Sequence, residues 1–356
     1  MTNDMTKGSP IKLILSFMVP LLIGNIFQQF YNMADTIIVG RTISVEALAA
    51  VGATGSISFL IVGFVQGVTS GFAVITAQRF GAGSENGVRR SVATSIILGI
   101  AVTIVMTAIS VLAARPLLEI MKTPSDIIDD SYNYIIVIFE GIAAAVFFNL
   151  FSSILRSLGD SKTPLVFLII ASIINIILDF VFILTFKMGV AGAGWATVIA
   201  QFISGILCFV YSLKKFPILR LTKHDWKFSW RFAWQHLAVG LPMAFQFSIT
   251  AIGTMVIQSA LNSLGSTAVA AFTAGSKIDQ FATQPLASLG VAVATYTAQN
   301  YGARELERIK KGVTGAAIIA TVCGIVGGFV VITFAKPLVA LFVGNGQNEV
   351  MSLSKE

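Results

Sequence analysis

Five ionisable side chains, Asp35, Glu140, Asp179, Lys277 and Asp279, stand inside otherwise apolar stretches of the chain. A charge at bilayer depth costs roughly 2.5–3.5 kcal/mol on insertion scales, so such residues are kept for a task or held by a partner. Asp35 ends a series, Asn25, Gln28, Asn32 and Asp35, whose spacings of three, four and three place all four on one helix face. That face must look into a cavity or onto a neighbouring helix. Asn175 and Asp179, four apart, share a face of a second helix. Thr197 falls at matching depth in the segment that follows. Two carboxylates, an amide carbonyl and a hydroxyl are oxygen ligands suited to a hard cation such as Na⁺. Two neighbouring carboxylates in a low dielectric suit a proton equally well. Both readings describe a site that couples ion binding to another event. Lys277, Gln280 and Gln284 form a further stripe, fit to line a cavity or to hold helices together, and Glu140 has no partner in the sequence. Pro20, fifteen residues before Asp35, deletes a backbone hydrogen bond and reads as a hinge or as a static kink.

The elements that carry these residues follow from composition. The 356 residues are 55% hydrophobic and only 12% charged, with a mean hydropathy of +0.84. A soluble domain carries about 25% charged residues, so a soluble enzyme, a nucleic-acid binder and a disordered chain are all excluded. A helical crossing needs about 20 apolar residues, and nine such stretches are predicted: 13–39, 49–78, 91–113, 131–155, 164–186, 191–213, 235–262, 267–297 and 313–343. Their length favours helices over barrel strands. The net charge of +7 belongs to short loops. With the N-terminus in the cytoplasm, 17 of the 24 basic residues fall on that side and 6 on the other, Lys277 remaining inside a span. The longest connection, 214–234, is basic and carries Trp226 and Trp230, as an interfacial linker should. Cys208 and Cys323 sit in apolar segments and read as small buried hydrophobes. His224 and His236 lie in or beside the basic linker, and no His, Cys and carboxylate constellation marks an enzyme. The first span lacks a small-residue cleavage site and reads as retained.

The chain repeats itself. AQRFGAG at 77–83 meets AQNYGAR at 298–304, and EALAAV at 46–51 meets TAVAAF at 267–272, both at an offset of 221. Arg115-Pro116-Leu117 meets Lys336-Pro337-Leu338 at the same offset, and Val19-Pro20 meets Leu241-Pro242 one residue later. Six spans per copy keep the copies parallel, an arrangement in which secondary transporters handle substrate between two lobes. The expected fold is therefore an all-α integral membrane protein, a two-lobe helical bundle of parallel six-helix repeats with about nine transmembrane helices. Residues 1–220 form the first lobe, helices one to six, and residues 221–356 part of the second, helices seven to nine. The second repeat is incomplete, and the chain reads as a C-terminally truncated fragment.

These residues resemble multidrug and toxic compound extrusion (MATE) transporters. The likeness covers the whole chain and rests on the VP/LP and AQ-x-[FY]-GA blocks, on LRSLGDSKTP at 155–164 and on YNMADTIIVG at 31–40. The resemblance implies twelve helices in two lobes and export of amphipathic, often cationic, drugs by Na⁺ or H⁺ antiport. It further implies that Asp35 is the cation-coupling aspartate, Pro20 the kink proline, and Asn175, Asp179 and Thr197 the rest of a first-lobe cation site, as in archaeal and DinF-like members. The 235–262 segment carries no acid, which favours first-lobe coupling over the NorM-like pattern. No cofactor is expected besides the coupling ion, and the only metal expected is Na⁺ at Asp35, Asn175, Asp179 and Thr197. The cavity lining is expected to comprise Asn25, Gln28, Asn32, Phe27, Phe30, Tyr31, Glu140, Lys277, Gln280 and Gln284, the aromatic rings facing a substrate cation. The partners are small amphipathic molecules and the bilayer, with no nucleic acid; a monomer in the cytoplasmic membrane is the expected state. The rival readings are a lipid-linked oligosaccharide flippase and a non-transporting membrane fragment.

Overall fold

The computed structural model describes residues 4–262 and 266–334, without the side chains of 258–259, 262, 266–271, 273–274 and 277. Among the described residues every regular element is helical. Helix α1 (Pro10–Thr42) starts with proline in its first turn, where a missing N–H costs nothing. It continues through Pro20 as one helix, so the proline removes a hydrogen bond without ending the element. Helix α2 (Val45–Ala53) is capped by Ser44, whose hydroxyl accepts the Ala47 N–H at 3.1 Å. Helices α3 (Gly55–Gly81), α4 (Glu85–Ile120), α5 (Ile128–Glu140), α6 (Ile142–Ser157) and α7 (Lys162–Phe180) follow, and α7 runs on to Thr185 through one π turn. Helix α8 (Gly189–Lys215) leads into the basic linker, and α9 (Trp230–Asn262), α10 (Ser266–Gly302) and α11 (Leu306–Thr333) complete the series.

Among the described residues seven helices are long and apolar enough to cross a membrane, counting α7 with its π turn, and the α5–α6 pair makes an eighth. The ninth expected span is α10, a helix whose middle carries Lys277, Asp279, Gln280 and Gln284 and which falls outside that set. Two expected spans are broken. The 49–78 segment divides at Thr54, whose hydroxyl bonds the Val51 carbonyl at 2.7 Å and competes with the helix ladder. The 131–155 segment bends by 47° beside Gly141. Helix α11 begins earlier than expected, and residues 335–343 of the last expected span lie outside the described residues.

In the linker, Phe216 and Leu219 are buried in a cluster with side chains of α4, α6 and α8, the turn itself packing on α4 and α8. Asp225 closes a capping box with Thr222, accepting its N–H and its hydroxyl, each at 2.7 Å. Burial opposes ionisation of that carboxyl, but the two donors prevail and hold it below the usual carboxylate range.

Helices α3 and α1 stand at the centre. Helix α3 packs on α4 and α6 on one side and on α9 and α10 on the other, while α1 touches α7 and, opposite, α10 and α11. The α3–α9 contact is a small-residue seam: a methyl added at Gly67 would sit 2.5 Å from Ala244 Cα, and one at Gly71 would strike Gly240. Such stripes let membrane helices approach to backbone distance. At one end of the bundle the repeat meets itself. Gly81 abuts the Gln299 carbonyl and Gly302 abuts the Gln78 carbonyl, and these residues pair at the 221 offset. Reciprocal contact between matching positions is what parallel repeats give about an axis along the membrane normal.

Candidate functional site

Helix periodicity sets each acid beside a polar neighbour. Tyr31 and Asp35 lie four apart on α1, Asn175 and Asp179 four apart on α7, so each helix presents two polar groups on one face. Helix α8 adds Thr197. Its hydroxyl is met by the Tyr31 hydroxyl at 3.4 Å and by the Asn175 amide at 3.3 Å. The carboxyls of Asp35 and Asp179 lie within electrostatic reach of each other. The pair is thoroughly buried, Asp35 8% and Asp179 0% exposed. Tyr134 of α5 lies within electrostatic reach of Tyr31 and both acids. Nothing in its surroundings in the sequence marks it as a member of the site.

Asp35 Oδ1, Asn175 Oδ1 and both Asp179 carboxylate oxygens are buried without a hydrogen-bond donor. Two ionised carboxylates are acceptors only, so they bond each other when a proton lies between them. Orphaned buried acceptors cost about 1–3 kcal/mol each, and four of them on facing helices α1 and α7 are of the chemistry that takes a proton or a hard cation. The residues present thus suit the ion expected of Asp35, Asn175, Asp179 and Thr197.

Toward the other end of the lobe a cavity of about 120 Å³ opens between α1, α3, α6, α7 and α8. Pro20, Asn25, Gln28 and Tyr31 line it from α1, with Gln66, Asn149, Arg156 and Gln201 opposite. Asn25 also donates to Ser288 of α10 at 3.1 Å, tying α1 to α10. Other expected lining residues lie elsewhere. Asn32 is exposed, because Tyr31 rather than Asn32 lies in line with Asp35 on the inward face. Glu140 is exposed at the α5–α6 bend, where the helix ends before the carboxylate can turn inward. Phe27 is exposed, and Phe30 meets Phe281 of α10 at 6.0 Å between ring centroids. Gln280 is exposed and Gln284 half-buried on α10, away from this cavity. The Lys277 side chain lies outside the described residues. A larger cavity of about 620 Å³ between α10 and α11 is walled, among the described residues, by apolar side chains and Cys323, none of them charged.

The family model MatE matches residues 20–181 and 242–356. The chain belongs to the MatE family. The two matched segments start at Pro20 and Pro242, so the MatE pattern itself occurs twice along the chain. Among curated MatE-like relatives, "Probable multidrug resistance protein YoeA" of Bacillus subtilis (strain 168) is 28% identical over 349 residues, 96% of this chain and 75% of that protein. A MATE crystal structure in the straight conformation superposes with a TM-score of 0.88 at 26% identity, covering 99% of this chain and 79% of that one. One in the bent conformation gives 0.88 at 27%, covering 98% and 78%.

Proposed function

We propose that this chain is a multi-pass membrane exporter of small amphipathic compounds, driven by Na⁺ or H⁺ antiport through a DinF-like first-lobe site. One observation carries the reading: four buried acceptor oxygens on α1 and α7 without donors. Family membership and the named relatives support multidrug efflux as the activity. The basic-residue asymmetry supports a cytoplasmic N-terminus and insertion in the cytoplasmic membrane.

Asp35, Asp179, Asn175 and Thr197 would hold the ion, which supplies the charge that the membrane potential moves inward. A potential of 100 mV yields about 2.3 kcal/mol per charge, close to fifty-fold accumulation of a neutral substrate. Helix α1 transmits the event. It carries Asp35 and Tyr31 at the ion site and Asn25, Gln28 and Pro20 at the cavity, so a change at one is felt at the other. Pro20 leaves the Ser16 carbonyl without its helical partner, lowering the cost of bending there. The straight and bent structures of relatives fit such a hinge. The cationic preference expected from sequence draws no support from the cavity, since neither acid lines it.

The test is reconstitution in liposomes under separate Na⁺ and pH gradients, with dye movement recorded for the wild type, Asp35→Asn and Asp179→Asn. Both variants should insert and bind dye yet lose gradient-driven movement. Undiminished movement in either would remove that acid from the mechanism.

A further inference from the structure

Of the side chains lining the first-lobe cavity, one carries a formal charge at neutral pH, and it is a cation, Arg156 at the end of α6. Its guanidinium donates to the Ser153 hydroxyl at 2.8 Å and is half-buried. No carboxylate among the described residues lies within 4.0 Å of it; the ion pairs there belong to Arg89, Arg115 and Lys310. Asp160, the acid nearest in sequence, is committed elsewhere. Its Oδ1 accepts the N–H groups of Lys162 and Thr163, and its Oδ2 the Thr163 hydroxyl at 2.7 Å, which holds it against the first turn of α7. A half-buried guanidinium with spare donors is a strong partner for a planar anion. The amides of Gln28, Gln66 and Gln201 around the same space offer uncommitted donors, and Leu21, Leu165 and Leu168 supply an apolar wall.

We infer that this cavity seats the anionic end of an amphipathic organic anion, a carboxylate or phosphate ester, against Arg156, with the apolar remainder along α1 and α7. The assignment rests on the reading of the chain as a transporter and names its substrate class. The two charged regions divide the work: the acids of α1 and α7 take the coupling cation, and the guanidinium takes the cargo.

Two dyes with one xanthene core, anionic fluorescein and cationic rhodamine 6G, separate charge from shape. Binding to the purified full chain in phosphatidylcholine nanodiscs is read by fluorescence anisotropy. Arg156→Gln should weaken fluorescein at least about tenfold, change rhodamine 6G less than about twofold, and be partly rescued in Arg156→Lys. Gln201→Glu, which leaves Arg156 in place but adds a carboxylate to the same wall, should weaken fluorescein and tighten rhodamine 6G. This variant keeps the inference testable if Arg156→Gln does not fold. Equal effects on both dyes, or none on fluorescein, would overturn the anion site and leave Arg156 a topological charge. Because binding needs no gradient, loss of dye transport with this pattern intact would sink the exporter reading alone.

Discussion

Asp35 and Asp179 set two acceptor groups against each other where the neighbours supply few protons. An amide in place of one acid changes that balance in a definite direction. Asp179→Asn gives the pair an N–H donor toward Asp35 and removes a buried charge, so it should raise stability by roughly 1–2 kcal/mol while abolishing coupling, the usual trade at a functional site. A thermal melt in detergent checks it; a melting temperature below the wild type's would mean the acid pair is structural glue. His236 makes the opposite case. It is fully buried, its Nε2 2.9 Å from the Ser91 hydroxyl, which lies 2.9 Å from the Thr76 hydroxyl, and its Nδ1 2.9 Å from the Phe232 carbonyl. His236→Ala strands those groups and should cost roughly 1–3 kcal/mol, visible in the same melt. The first of these clusters was half legible in the sequence. Spacing of four exposed Asn175 with Asp179, because helix geometry is periodic. His236, at the start of its predicted span, and the isolated Tyr134 carried no such period, and their roles come from helices remote in the chain. Arg156 was legible only as a loop charge, since its lack of a counterion is a three-dimensional fact.

Among the elements, the α3–α9 seam decides how closely the two repeats approach. Gly63, Gly67 and Gly71 recur every four residues on α3, and Gly240 and Ala244 do so on α9. The pattern was present in the sequence, but uniform apolarity hid which helix would receive it. Opposite signs are expected for one chemical change at two sites. Gly67→Ala drives a methyl into the Ala244 backbone and should destabilise by roughly 1–3 kcal/mol. Gly52→Ala, on α2 with nothing within 4 Å of the added methyl, should stabilise by up to about 1 kcal/mol through helix propensity. Comparing the two melts tests the seam, and equal shifts would deny it. The breaks at Thr54 and Gly141 escaped the sequence reading for the same reason: hydropathy measures length of apolarity and is blind to a hydroxyl or glycine that bends the backbone within it.

For the whole molecule, the end where the repeats meet must be able to open if access alternates. Gln299 ties three segments there. Its Oε1 accepts the Met5 N–H at 2.9 Å and its Nε2 donates to the Ser157 carbonyl at 2.8 Å, joining the N-terminal segment and α6 to α10. Asn300 and Arg308 hold the Met5 carbonyl from the same side, at 3.1 and 3.2 Å. Each neutral bond nets about 0.5–1.5 kcal/mol once water can replace it, so the two made by Gln299 are worth on the order of 1–3 kcal/mol. One charge crossing 100 mV supplies about 2.3 kcal/mol, a matching scale: the latch is strong enough to keep this end shut and weak enough for a single ion to release. Gln299→Ala should therefore raise the open population by about five-fold to about a hundred-and-fifty-fold. Ser157→Cys, buried beside the latch and placed in a chain with Cys208 and Cys323 replaced by alanine, reports it through its maleimide labelling rate. Labelling should accelerate by that factor in Gln299→Ala and stay slow in Gln78→Ala, whose side chain makes no such tie among the described residues. Equal rates in all three would show that the glycine contacts at Gly81 and Gly302 alone hold this end closed.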